Sequence, residues 1–156
     1  MESDFDPYAN KGLYYEDVPV GHKIGRRFTA TETHLVLACG IFGDLAPLHT
    51  DEIEAQEKHG GRIFPGPYTV GLMAGTLADT FAGTAIADVD LSFRFTYPLY
   101  AGDTLLIVWE ITERQDQFHK GRGLLRMTAV ATNQNGIKVS DASMGLLVKS
   151  RQPATV

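Results

Sequence analysis

The chain of 156 residues has one cysteine, Cys39, and one tryptophan, Trp109. A lone thiol excludes an internal disulfide, a CxxC redox pair and a cysteine zinc site. Long apolar runs are also missing. The most apolar stretch, Val70 to Ala78, is broken by Gly71 and Gly75 and stops at Asp79, well short of the ~18 residues of a membrane span. Positive charge is in short supply: 14 Lys+Arg against 19 Asp+Glu leaves a formal net charge of −5, which disfavours nucleic acid as a partner. Residues Met1 to Asn10 are acidic and lack a basic segment followed by an apolar one, so no secretory signal is visible and a cytoplasmic, membrane-free protein is expected. No internal repeat, low-complexity tract or Pro/Ser-rich linker divides the sequence.

What is present is a composition of 44% hydrophobic residues, enough at this length to bury ~70% of the unfolded surface without a disulfide or structural metal. One domain over residues 1–156 is expected, with 1–20 as a loosely ordered N-terminal segment. The character changes near Gly83. Before it, Gly21 to Phe28 reads as a strand. A helix follows, opened by Thr29 or Thr31 and ended near Gly40 to Gly43, with Leu35, Val36 and Cys39 as its apolar stripe. A glycine-bounded loop, Gly43 to His49, leads to a short charged helix from Asp51 to Lys58, stopped by Gly60-Gly61.

Pro65-Gly66-Pro67 then opens a segment, Tyr68 to Phe81, that is apolar on every side, the pattern of a buried helix. Its small residues Gly71, Ala74, Gly75 and Ala78 predict close approach of another backbone. Pro67 suits the first helical turn.

After Gly83 the period becomes two. Val89, Leu91, Phe93, Phe95 and Tyr97 alternate with Asp88, Asp90, Ser92, Arg94 and Thr96, the pattern of a half-buried strand. Further strands are predicted over 104–113, 124–132 and 137–149, the last two joined at Asn135-Gly136. A buried helix followed by long antiparallel strands predicts an α+β fold, the helix laid on an antiparallel sheet.

Two features carry chemistry. The loop holds a carboxylate and an imidazole, Asp44 and His49, pinned by Gly43 and Pro47. Asp and His are the usual pair for gripping a water and moving its protons near neutral pH, although Gly-Asp is also ordinary turn chemistry. The second feature is the helix start at Pro65-Gly66-Pro67, where unpaired N–H groups and the positive dipole end can hold an oxygen gaining negative charge. By itself such a tripeptide is equally a stiff turn. Together, the pair and the donor suit chemistry beside a thioester carbonyl.

From about Arg27 to Lys149 the sequence resembles the MaoC-like (R)-specific enoyl-CoA hydratases and dehydratases of the hotdog fold. That family's run Gly-Asp-x-Asn-Pro-Leu-His, followed by an Ala, matches Gly43-Asp44-Leu45-Ala46-Pro47-Leu48-His49 and Ala55. Phe93-Arg94-Phe95 with Pro98, Gly102-Asp103-Thr104-Leu105 and Asn133-Gln134-Asn135-Gly136 are similar too. Ala46 departs from the usual Asn, and Pro65-Gly66 from the usual His-Gly.

The resemblance implies a single hotdog domain, its sheet wrapped around one long central helix, that adds water reversibly to a 2-enoyl-CoA. Asp44 and His49 would activate the water, and the Gly66 N–H would stabilise the enolate-like oxygen. Pro47, Pro65, Pro67, Tyr68 and Arg94 would contact substrate, with Arg62 and Arg94 the candidates for the phosphates. No metal and no cofactor beyond the acyl-CoA or acyl-carrier-protein substrate is implied, and a homodimer with sheets joined edge to edge is expected. The competing readings are a hotdog thioesterase, disfavoured because the acid of the buried segment, Asp79, lies near its far end, and a non-catalytic acyl-CoA or carrier-protein binding module, suggested by Ala46. His22, His34, His59 and His119 are expected at the surface, Asp51, Glu52 and Glu54 at a helix start, and Cys39 as core filler.

Overall fold

The computed structural model describes residues 12–119 and 121–151. Its strands are β1 (Lys23–Thr29), β2 (Ala85–Phe95), β3 (Thr104–His119), β4 (Arg122–Thr132) and β5 (Lys138–Lys149), and its helices are α1 (Glu32–Phe42), α2 (Pro47–Thr50), α3 (Glu52–His59) and α4 (Gly66–Gly75). The strands form one antiparallel sheet in the order β1-β3-β4-β5-β2. Alternate residues of β3, β4 and β5 supply the core: Leu105, Ile107, Trp109 and Ile111; Leu125, Met127, Ala129 and Ala131; Ala142, Met144, Leu146 and Val148. Met73, Leu77 and Phe81 pack against this face, and the buried Trp109 indole donates to the Met73 carbonyl at 2.9 Å. The helix thus lies on the sheet as the pattern predicts.

Helix α4 ends six residues before Phe81, the expected terminus. Thr76, Leu77 and Ala78 donate their N–H groups to Met73, Ala74 and Gly75, three residues back, so the helix tightens into successive turns at the point where Trp109 takes up the Met73 carbonyl. Nor is α4 buried all round, since within it only Thr69 and Met73 are buried. A β-carbon placed on Gly71 or Gly75 would meet nothing within 4 Å. Among the described residues, the small-residue face is therefore open and not packed on another backbone.

Strand β2 departs from the expected half-burial. Its register on β5 slips between Asp88 and Asp90, so that Asp88 stands opposite Leu146 and Asp90 opposite Gly145, where it pairs with Arg126 of β4. The simple alternation breaks at Val89. As the edge strand, β2 leaves Val89, Leu91 and Phe95 exposed, and Tyr97 just beyond its end is exposed too.

The loose segment expected over 1–20 is packed in its described part. Tyr15 and Val18 are buried, and the Tyr15 ring occupies the space a side chain at Gly123 would need, where a β-carbon would stand 2.2 Å from the ring. Arg114 lies 4.3 Å from the same ring's centre, and Leu13 donates its N–H to Thr80 at 2.6 Å. Residues 1–11 lie outside the described part.

The loop motifs have structural work. Asp103 accepts from the Tyr100 N–H at 3.0 Å and from the Gln134 side chain at 2.8 Å, and Gln134 in turn accepts from the Thr104 N–H at 2.9 Å. Asn133 accepts from the N–H groups of Asn135 and Ile137, both at 3.0 Å. The β2–β3 and β4–β5 turns are thereby locked to each other. Among the described residues no helix is long and apolar enough to cross a membrane.

Candidate active site

Helix α1 starts at Thr31, not Thr29. The Thr31 N–H donates to Nδ1 of His34 at 3.1 Å, which satisfies an otherwise orphaned donor of the helix start. His34 is therefore more than a surface residue, and its ring lies 5.1 Å from Phe28 and 6.2 Å from Tyr68 between centroids. The side chain of His119 lies outside what the structure describes. Helix α1 ends at Gly43, whose φ of 67° is left-handed; that conformation reverses the chain without steric cost only for glycine and sends it into the Asp44–His49 loop.

Pro47 opens α2, a single turn that carries His49 inward. The Thr50 hydroxyl donates to the carbonyls of Leu45 and Ala46 at 3.1 and 3.2 Å, and the His49 N–H to Ala46 at 2.9 Å. Asp51 then caps α3, accepting from the N–H groups of Ile53 and Glu54. Glu52 pairs with Arg62 and Glu54 with Lys58. The acidic run is a helix start, as expected, and each of its carboxylates is engaged within the fold.

The loop brings Asp44 and His49 together: Oδ2 of Asp44 is 3.2 Å from Nε2 of His49. The imidazole side chain is 7% exposed and the carboxylate 41%. Nδ1 of His49 lies 2.6 Å from the Ile63 carbonyl oxygen. A carbonyl can only accept, so Nδ1 carries the hydrogen, and in the neutral ring Nε2 keeps its lone pair facing Asp44. One proton can then shuttle between Nε2 and the carboxylate, with the half-exposed carboxylate open to an incoming water.

Ile63 also donates its N–H to Leu48 at 3.1 Å, and Phe64 donates to Leu99 at 2.9 Å. This short stretch runs from the residue that orients His49 directly into Pro65, the N-cap of α4, and Gly66, its first residue. A first-turn N–H has no partner within its helix. Phe95 of β2 lies over Gly66, where a β-carbon would be 3.3 Å from Cζ of the ring. Pro65 is buried and Pro67 exposed. Tyr68 is half-buried and stacks on Phe64 with centroids 4.5 Å apart; burial raises its hydroxyl pKa.

Arg94 is not brought to this place. It stands opposite Asp141 in the β2–β5 register, on the alternate face of β2 from Phe93 and Phe95. Arg62 is held by carboxylates, donating from Nε to Glu52 at 2.8 Å and from Nη2 to Glu32, contacts that raise its pKa further. Asp79, beyond the end of α4, is exposed and pairs with Arg26. Cys39 is buried, and desolvation, then the nearby Asp44 charge, raises its thiol pKa, the behaviour of core filler and not of a nucleophile. Two parts of the site had no side-chain signal to find, because the orienting group of His49 is a backbone carbonyl and the cover of Gly66 comes from a distant strand.

An α+β fold with a helix laid on one antiparallel sheet, and with an Asp44–His49 loop linked through Ile63 to a glycine helix start, is the hotdog architecture. The chain belongs to the MaoC-like domain family, whose model matches residues 18–133. It is 29% identical over 102 residues to a 3-hydroxybutyryl-CoA dehydratase of Methylorubrum extorquens, a match covering 65% of this chain and 65% of the relative, just under two thirds of that protein's length. An (R)-specific enoyl-CoA hydratase of Rhodospirillum rubrum is 28% identical over 100 residues, 64% of this chain and 69% of the relative. The fold is similar to an unliganded R-hydratase of Pseudomonas aeruginosa, with a TM-score of 0.79 at 25% identity, covering 94% of each chain.

Proposed function

We propose that the protein is an acyl-thioester hydratase and dehydratase, adding water reversibly to a 2-enoyl-CoA to give a 3-hydroxyacyl-CoA. The observation that carries this reading is the 3.2 Å contact between Asp44 and His49, with His49 oriented by Ile63. The enoyl hydratase and hydroxyacyl dehydratase relatives support it.

In the hydration direction, a water held between the two side chains gives a proton to Asp44 as its oxygen bonds to the β-carbon. The double-bond electrons move toward the thioester carbonyl, whose growing negative charge the Gly66 N–H stabilises. Nε2 of the protonated His49 ring delivers its proton to the α-carbon, and the Asp44 proton passes back across the short contact to restore the pair. The Gly66 interaction strengthens only as charge develops, which is the kind that accelerates. No cofactor enters this scheme, and coenzyme A belongs to the substrate.

A homodimer is part of the proposal. The exposed apolar residues Val89, Leu91 and Phe95 of β2, with Tyr97 just beyond it, and the backbone edge that β2 presents among the described residues are a liability in water, and pairing with a second copy removes it. Sedimentation equilibrium of the full chain tests this; a monomer at micromolar concentration contradicts it.

The activity is tested by loss of enoyl-thioester absorbance with crotonyl-CoA and a panel of longer, branched and carboxylated 2-enoyl-CoAs. Hydration by the wild type is expected. Silence across the panel, with CoA esters still bound, points instead to the binding module.

A further inference from the structure

Arg62 follows α3 and immediately precedes Ile63. Its side chain is 22% exposed, whereas its partners Glu32 and Glu52 are 55% and 65% exposed. Glu32 is the first residue of α1 and Glu52 the first residue of α3. One planar guanidinium therefore ties the starts of the two helices that flank the Asp44–His49 loop, using its fork geometry to meet both carboxylates at once. The backbone it anchors belongs to the segment that orients His49, since the next residue supplies the carbonyl that accepts from Nδ1 at 2.6 Å. On the other side of Ile63, the bond from the Phe64 N–H to Leu99 fixes the same stretch.

The charge count argues against the other natural use of an arginine beside an acyl-CoA site. Two carboxylates on one guanidinium leave the trio with a net charge of −1 by simple addition, which repels a phosphate. The trio is also mostly at the surface, where ion pairs add little stability. Its consequence is geometric.

We infer that Arg62, held by Glu32 and Glu52, is a positioning residue for the proposed hydration: it fixes the Ile63 carbonyl and through it the orientation of His49 toward Asp44. The inference rests on the hydratase reading for its kinetic consequence but not for its structural one. A group displaced by even ~1 Å from a reacting centre can cost up to about a hundredfold in rate, and Arg62 acts on a 2.6 Å contact of His49 without touching substrate.

The test compares wild type, Arg62→Ala and Arg62→Lys on crotonyl-CoA and on crotonyl-pantetheine, which lacks the nucleotide phosphates. Expected for both variants is a kcat lower by roughly ten- to a hundredfold on both thioesters, KM nearly unchanged, and a thermal midpoint close to wild type. Added guanidinium at tens of millimolar restores part of the Arg62→Ala rate. Lysine does not substitute, because an ammonium lacks the fork. A rise in KM confined to the CoA ester, with kcat intact, makes Arg62 a phosphate contact and overturns the inference, as does unchanged kinetics.

Nitrogen NMR of the resting proteins gives a readout that does not need turnover. In wild type the Nδ1 hydrogen of His49 is held by the Ile63 carbonyl at 2.6 Å; in the variants that bond is expected to loosen, seen as a shifted Nδ1 resonance. An unchanged His49 spectrum overturns the inference, even for a wild type that hydrates nothing on the panel, so its failure is distinguishable from failure of the hydratase reading. Should Arg62→Ala fail to fold, Arg62→Lys carries both measurements.

Discussion

Phe95 lies over Gly66, close enough that a β-carbon at position 66 would stand 3.3 Å from its ring. The glycine is thus needed either to spare Phe95 or to leave room for a thioester oxygen at the helix start. Phe95 is 52% exposed and free to yield, so under the proposed function it is the second reason that governs. Gly66→Ala is expected to change stability by no more than about 1 kcal/mol and to lower hydration at least roughly tenfold. Adding Phe95→Ala should not restore the rate. Recovery in the double variant would assign the glycine to packing.

Trp109 fixes α4 on the sheet through its bond to the Met73 carbonyl. Trp109→Phe removes that donor and part of a side chain that is 0% exposed. A loss of about 1–3 kcal/mol in urea unfolding is expected. A loss below that range would mean that the indole bond does not hold the helix.

Tyr15 supplies a pH test. Burial, reinforced by the Asp116 carboxylate, pushes its hydroxyl from 10.0 up to about 12. The folded form therefore keeps a proton that the unfolded chain releases first. The stabilisation this represents is complete below pH 10 and is lost as pH rises through about 12. Relative to wild type, Tyr15→Phe should lose less stability between those values in denaturant titrations, and parallel pH profiles would contradict the assignment.

Much of the fold was legible because its periodicities are local. The capped start near Thr31, the glycine stops at Gly43 and Gly60, and the strand runs that became β3, β4 and β5 each depend on neighbours in sequence. The shortened α4 was not legible, because the turns after Gly75 bond three residues back beside a contact to the Met73 carbonyl from Trp109, 36 residues away. The β2 bulge was hidden too: its cross-strand partners Gly145 and Arg126 draw Asp90 to one face, which no alternation in β2 itself reveals. Similarly, spacing and glycines exposed the Asp44–His49 pair, while the carbonyl that orients His49 is backbone and looks the same in any sequence. For Arg94 the residue type suggested a phosphate contact, while only the strand register could place it opposite Asp141.

The central claim is that Asp44 and His49 add water to a carbon–carbon double bond, and the most direct measurement of it follows the water's oxygen. A 3-hydroxybutyryl thioester incubated with the protein in heavy-oxygen water should take the label into its β-hydroxyl group through reversible dehydration. In Asp44→Asn and in His49→Ala that exchange should slow by roughly two or more orders of magnitude. Label appearing in a released carboxylate instead would show thioester hydrolysis, and exchange at the wild-type rate in both variants would contradict the roles given to the pair.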